Sequence, residues 1–251
     1  MSTRADELTI LGRIMPASNA TFLAELRGRR VVYKPVAGER PLWDFPTGTL
    51  AQREVAAYAV SEELGWGVVP RTWLAEGPHG PGMVQEWQEP DTDVLAVDVV
   101  PTGEEPPGWL HVVEAVDGED RPVTLVHEDT TELRRMAVLD VVINNGDRKG
   151  GHVLAMADGR RYGVDHGVCF SVDPKLRTVL WGWTGSPLTP EERAGVERVL
   201  SGLEGELGRR LVDLLTAEEV AGTAARCRGL LAAGQLPGPS PHWPSIPWPA
   251  F

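Results

Sequence analysis

Two aspartates, Asp147 and Asp165, stand at the ends of two short apolar runs within residues 139–170, LDVVINNGDRKGGHVLAMADGRRYGVDHGVCF. Val141-Val142-Ile143 leads into Asn144-Asn145-Gly146 and then Asp147-Arg148-Lys149, which offers nothing apolar to bury. A second run, Val153-Leu154-Ala155-Met156, is turned by Asp158-Gly159 and returns through Tyr162-Gly163-Val164 to Asp165. An Asp-Gly pair between two such runs is a hairpin signal. Asp147 is therefore expected just before a hairpin and Asp165 just after it, at the same end. Gly150, Gly151 and Gly167 let backbone approach closely there. With His152 and two cations nearby, two acids so placed have the makings of a metal-and-phosphate site. Each aspartate alone reads more readily as a solvated turn residue; the pairing tips the balance toward a site.

A lysine and a glutamate earlier in the chain form a second candidate pair. A helix is expected over residues 50–64, with Thr47 or Thr49 as cap and Gly65 past its end. Glu54 falls inside its apolar stripe of Leu50, Ala57 and Tyr58. A carboxylate on a buried face is costly unless a cation meets it. Lys34, in the strand-like run VVYKP, is the natural partner.

The elements that must position these residues follow from patterning. Strands are expected near residues 8–12, 21–26, 31–35, 68–74 and 82–87. The turn Pro16-Ala17-Ser18-Asn19 offers Ser18 and Asn19 as a nest for phosphate oxygens. Residues 36–48 form a Pro/Gly-rich loop carrying Trp43 and Phe45. Residues 88–128 are acidic and weakly patterned, and a lobe boundary is placed near residues 88–90. Asp129-Thr130-Thr131-Glu132 has capping-box spacing and opens a helix with Leu133, Met136, Ala137 and Val141 on one face. On that helix Asp140 either braces the following loop or faces solvent. Three helices close the pattern: one from Thr189-Pro190-Glu191-Glu192, one over residues 203–215, and one from Thr216 to just before Gly234. Residues 235–251, Pro-rich with Trp243 and Trp248, are extended and either pack their aromatics on the body or stay disordered. The organisation is α+β: a β-rich N-lobe with one main helix (1–88), a mostly helical C-lobe (89–234) and a Pro/Trp-rich tail (235–251).

Composition narrows the partners. A chain of 251 residues with 42% hydrophobic content can build two lobes sharing a cleft. A net charge of −12 argues against nucleic acid or an anionic membrane surface as main partner. Cys169 and Cys227 are too few for a disulfide scaffold. No apolar run approaches the ~18–20 residues needed to span a bilayer, and MSTRADELTILGR lacks a signal-peptide pattern. The expected setting is cytoplasmic, without integral membrane contact.

In chain order these parts are a phosphate-covering turn, a strand lysine, a helix glutamate, a strand ending Gln85-Glu86-Trp87, and two aspartates. That is the order of parts in a kinase-like phosphotransferase. The segments NNGDRKGGHVL and YGVDHGVCF resemble the catalytic and metal-binding segments of the phosphatidylinositol 3-/4-kinase-like superfamily. Within it they look most like type II phosphatidylinositol 4-kinases and a bacterial family of small phosphatidylinositol-kinase-like proteins. HipA-like toxin kinases are more distantly similar. The resemblance is specific over residues 139–170, looser over 18–87 (SNATFLAEL, VVYKP, REVAAY, VVPRTW), and absent from 90–128 and the tail.

The resemblance implies a bilobal protein-kinase-like fold, ATP, and a divalent metal, Mg or Mn. It implies Asp147 as catalytic base, Asp165 as metal ligand, Lys34 as phosphate lysine and Glu54 as its partner. Gln85, Glu86 and Trp87 would line the adenine site, largely through backbone groups. Arg148 and Lys149 would meet the substrate or the γ-phosphate, or offset Asp147. His152 stands where the family pattern has a metal-binding asparagine; imidazole suits manganese or zinc better than magnesium. His166 replaces the phenylalanine of protein kinases, and the segment after Asp165 is short, so activation-loop switching is not expected. Trp43, Trp181 and Trp183 could form an interfacial patch or bind a small substrate. The implied reaction is phosphoryl transfer from ATP to a hydroxyl-bearing substrate, a non-lipid one slightly preferred. A nucleotide-binding pseudokinase acting as a regulatory module is the alternative. A metal-dependent hydrolase built on Asp147, His152 and Asp165 leaves the Lys34–Glu54 pair unexplained.

Overall fold

The structure is a computed structural model that describes residues 7–15 and 19–251. Its first sheet is antiparallel with strand order β1-β2-β3-β5-β4. The strands are β1 (Leu8–Arg13), β2 (Phe22–Leu26), β3 (Arg29–Pro35), β4 (Thr72–Gly77) and β5 (Gly80–Glu86). Strand alternation sorts β3 into two faces. Val31 and Tyr33 join Leu8, Ala24, Ala75 and Val84 in a small core, which leaves Lys34 on the opposite face. Tyr33 donates its hydroxyl to the Gly80 carbonyl at 2.6 Å. Gly77 permits this approach, since a Cβ there would sit 2.5 Å from the Tyr33 ring.

Helix α1 (Leu50–Leu64) has the bounds its sequence implies and ends on Gly65 in the left-handed region. Its start differs from expectation. Thr49 makes no side-chain cap, and the Glu39 carboxylate instead accepts from the Leu50 and Ala51 N–H groups at 3.1 and 2.9 Å. A carboxylate there meets both the orphan donors and the positive end of the helix. Ala56, Ala57, Ala59, Val60 and Leu64 of α1 enter the large hydrophobic core with α2 (Thr131–Ile143), α3 (Pro190–Gly202), α4 (Glu206–Val212) and α5 (Ala217–Ala233). Arg53, 1% exposed, bonds the Cys169 carbonyl at 2.8 Å and Glu219 of α5 at 2.5 Å. The helix that carries Glu54 is thus anchored in the helical body.

Residues 88–128 depart from the expected weak pattern. They contain an antiparallel sheet of order β6-β8-β7, with β6 (Val97–Pro101), β7 (Trp109–Val116) and β8 (Pro122–Glu128). Only β8 is buried along most of its length, while β7 is largely exposed. One-sided burial with acidic turns between the strands hides the alternation in sequence. His127 of β8 accepts from the Gly182 N–H through Nε2 at 3.1 Å, and its ring packs at a 41° tilt with its centroid 4.3 Å from that of Trp183.

Helix α2 is capped by Thr130, one residue later than the Asp129 spacing suggests, its side chain accepting from the Leu133 N–H. The capping boxes at Thr189 and Thr216 form as expected. The Asp158-Gly159 hairpin forms between β9 (Val153–Ala155) and β10 (Arg161–Gly163). Trp181 and Trp183 are 8% and 3% exposed, so they belong to the core and form no surface patch; Trp43, at 84%, does stand free. No helix among the described residues is long and apolar enough to cross a membrane.

Glu39→Ala is expected to cost about 1 kcal/mol of stability, in line with loss of a helix cap, read by urea denaturation. An unchanged midpoint would show that α1 does not depend on this cap.

Candidate active site

Helix α2 stops at Ile143 because Asn144 adopts the left-handed region (φ 51°). The Asn144 side chain donates to the Ser171 and Asp173 carbonyls at 2.8 and 2.7 Å and accepts from the Lys175 N–H at 3.0 Å. Asn145, fully buried, donates to Asp140 at 2.9 Å and accepts from the Asp147 N–H at 3.0 Å. The two asparagines therefore fix the turn that presents Asp147. Sequence reading took them only as strand breakers. Asp140 does brace the loop, though mainly by side-chain pairing.

Arg148 is the clear correction. It is fully buried and its side chain does not face the cleft. Its Nε and Nη2 hold Asp140 at 3.0 and 2.9 Å. Its Nη1 donates to the His152 and Val164 carbonyls at 3.2 and 3.1 Å. Nη2 also lies 2.6 Å from His166 Nε2. Guanidinium is donor-only, so His166 must accept there and carry its proton on Nδ1. That Nδ1 is buried without a partner among the described residues. Burial lowers the His166 pKa well below the usual range, and Arg148 adds to this, so the ring is neutral. Arg148 thus ties together the two ends of the β9–β10 hairpin, from which Asp147 and Asp165 emerge.

On the cleft side, Lys34 Nζ sits 2.6 Å from Glu54 Oε1 and 2.9 Å from Asp165 Oδ1. The second Glu54 oxygen accepts from the His166 N–H at 3.0 Å. Asp165 is left-handed at φ 59°, which turns its carboxylate toward Lys34. Burial opposes the Lys34 charge, but Asp165 and Glu54 outweigh it and hold its pKa above the ordinary lysine range. The Lys34 ammonium in turn holds the Asp165 carboxyl well below the usual carboxylate range. Burial pushes Glu54 up, against the pull of Lys34. The two carboxylates differ in access: the Glu54 side chain is 3% exposed and that of Asp165 48%.

His152 Nδ1 donates to the Asp147 carbonyl at 2.9 Å, leaving the Nε2 lone pair 3.5 Å from Asp165 Oδ2. Burial lowers the His152 pKa to about 4, so the ring is neutral. A histidine with one ring nitrogen fixed by a carbonyl and the other free is oriented as a metal ligand. Among the described residues no three His, Cys, Asp or Glu side chains converge on one point. Asp165 and His152 are the two side chains here that could hold a divalent cation between them. Asp147 is 3.7 Å from Lys149 Nζ. Burial pushes its pKa up to about 6, against the opposing pull of Lys149.

The expected nucleotide contacts fare differently. Ser18 lies outside the described residues. Asn19 Oδ1 accepts from the Arg40 N–H at 2.8 Å, tying Asn19 to the 36–48 loop. The Gln85 side chain donates to Thr72 at 2.9 Å inside the sheet. The Glu86 and Trp87 N–H groups donate to the Arg71 and Arg30 carbonyls at 2.9 and 3.2 Å. Those two N–H groups are engaged by neighbouring backbone carbonyls.

No protein-family model matches the chain. Protein Rv2133c of Mycobacterium tuberculosis is 51% identical over 258 residues, covering 98% of this chain and 92% of that protein. This chain belongs to the family of Protein Rv2133c. The structure is similar to that of the Helicobacter pylori proinflammatory kinase CtkA, with a TM-score of 0.50 over 92% of this chain and 93% of that one. At 10% identity the likeness is one of fold. The Rv2133c-family chain therefore has a kinase-like α+β fold.

Because Arg148 neutralises a fully buried carboxylate, Arg148→Met should destabilise the protein by about 3–5 kcal/mol, measured in urea. A variant of parental stability would contradict this placement.

Proposed function

We propose that this chain is an ATP-dependent phosphotransferase acting on an alcohol acceptor. The carrying observation is Lys34 bridging Glu54 at 2.6 Å and Asp165 at 2.9 Å, beside Asp147 and His152. Residues far apart in sequence meet there in the arrangement that phosphoryl transfer needs. The resemblance of residues 139–170 to phosphatidylinositol-kinase-like segments supports the same reading.

In this reading Glu54 keeps Lys34 in place while Lys34 orients the phosphate oxygens of ATP and offsets their charge. Asp165 and His152 hold a divalent cation, Mn or Mg. That cation, when bound, neutralises charge on the β- and γ-phosphates. Asp147 accepts the proton of the attacking hydroxyl, and its raised pKa brings it nearer the operating pH, as a general base requires. Lys149 stands close enough to meet the acceptor or the γ-phosphate. Glu54, buried and bonded to the His166 N–H, stays fixed through the cycle. A non-lipid acceptor fits the net charge of −12 and the burial of Trp181 and Trp183.

The test is ATP turnover with magnesium or manganese, water serving as acceptor, together with nucleotide-dependent thermal stabilisation. Asp147→Ala is expected to lower kcat by about 10²–10⁴-fold while nucleotide still stabilises the protein. Asp165→Ala and Lys34→Ala should lose both. Stabilisation without turnover in the parent would favour the regulatory pseudokinase. Phosphoester cleavage indifferent to Lys34→Ala would favour a hydrolase.

His152 generates a separate expectation. His152→Asn replaces nitrogen by oxygen at the metal and should raise magnesium-supported turnover relative to manganese-supported turnover. An unchanged ratio would remove His152 from the metal site.

A further inference from the structure

Residues 235–251 pack on the body along a path that ends at the loop carrying Asp147. Near α5, Leu236 exchanges hydrogen bonds with Gly185 and Ser186, both 3.0 Å. The Ser245 carbonyl then accepts from the Thr178 N–H at 3.0 Å and from Trp181 Nε1 at 2.9 Å. The Ala250 carbonyl accepts from the Gly150 N–H at 2.8 Å. The Phe251 ring lies directly against Gly150, so that a Cβ at that glycine would run into it. Ile246 and Ala250 pack on the large core between these anchors.

Two of those anchors converge on the candidate base. Gly150 is three residues from Asp147 and next to Lys149. Thr178 is bridged to Arg148, the Arg148 N–H donates to the Arg177 carbonyl at 3.0 Å, and the Arg177 N–H donates to the Asn145 carbonyl at 2.9 Å. The 235–251 segment therefore holds the 145–150 loop directly at Gly150 and indirectly through residues 177–178. That loop needs such support. Gly150 and Gly151 supply no side chain to pack, and Gly151 is exposed. A general base is effective only when held to within a fraction of an ångström of its working place.

We infer that Ala250 and Phe251 are positioning residues for Asp147, acting through Gly150. This rests on the phosphotransferase reading, in which Asp147 is the base. A segment that covered the acceptor site would slow the reaction when present.

The test uses Phe251→Ala, Phe251→Leu, Gly150→Ala and the Gly150→Ala/Phe251→Ala pair. One readout is amide hydrogen exchange over residues 146–151, which needs no turnover. The other is manganese-supported ATP hydrolysis, separated into kcat and nucleotide KM. Phe251→Ala is expected to speed exchange of the loop about tenfold and lower kcat about tenfold, with KM for ATP within about twofold, as for a small misplacement of one group. Phe251→Leu, which keeps apolar bulk, should recover most of kcat. Gly150→Ala should match the loss of Phe251→Ala, and the pair should be no worse than either alone. Unchanged loop exchange overturns the clamp. Faster exchange with unchanged or raised kcat overturns the positioning role. A parent without turnover overturns the phosphotransferase reading and with it the meaning assigned to the clamp, and the exchange readout distinguishes that from failure of the clamp itself.

Discussion

The Lys34 ammonium is the constraint on which the cleft depends. It comes from the face of the central strand β3 opposite the small core and meets a carboxylate from α1 and another from the turn after β10. Glu54 lies in a helix whose other faces are packed in the large core, so its charge is tolerable only with this cation beside it. The partnership is unequal. Glu54 is sealed from solvent and additionally held by the His166 N–H, whereas Asp165 is open on one side. In the proposed reaction a phosphate displaces the more open Asp165 from Lys34 and leaves Glu54 in place.

A second buried cation organises the other half of the site. Arg148 neutralises Asp140 of α2 and ties the entry and exit of the β9–β10 hairpin. Asn144 and Asn145 then fix the backbone between α2 and Asp147. Residues 177–179 pair with this loop, so the segment after Asp165 is engaged in holding the site together. Helix α1 is likewise tethered through Arg53 to α5. Moving either α1 or the segment after Asp165 would break buried polar contacts.

Most of this was legible because the signals were local. The Asp158-Gly159 hairpin, the Gly65 stop and the Thr189 and Thr216 caps each rest on a few adjacent residues, and each formed. The Lys34–Glu54 pair was legible for a different reason: a carboxylate inside an apolar stripe demands a cation. Arg148 was misread because a cation beside an aspartate looks the same whether it faces substrate or the core. Only the position of Asp140, eight residues back on a buried helix face, separates the two. The β6–β8 sheet was missed because strands buried on one side and joined by acidic turns leave little periodicity. Glu39 capped α1 from eleven residues away, beyond the range of any local capping signal. Register places the Glu86 and Trp87 N–H groups in pairs with the Arg71 and Arg30 carbonyls, which leaves only carbonyls of this strand end for the expected adenine contact.

The unequal partnership at Lys34 is the claim most open to direct measurement, through a crystal structure with manganese and a non-hydrolysable ATP analogue. The account requires Lys34 Nζ to remain on Glu54 while exchanging Asp165 for a phosphate oxygen, with Asp165 and His152 turned to the metal. Triphosphate bound away from Lys34, or Lys34 still paired with Asp165 in the complex, would contradict it.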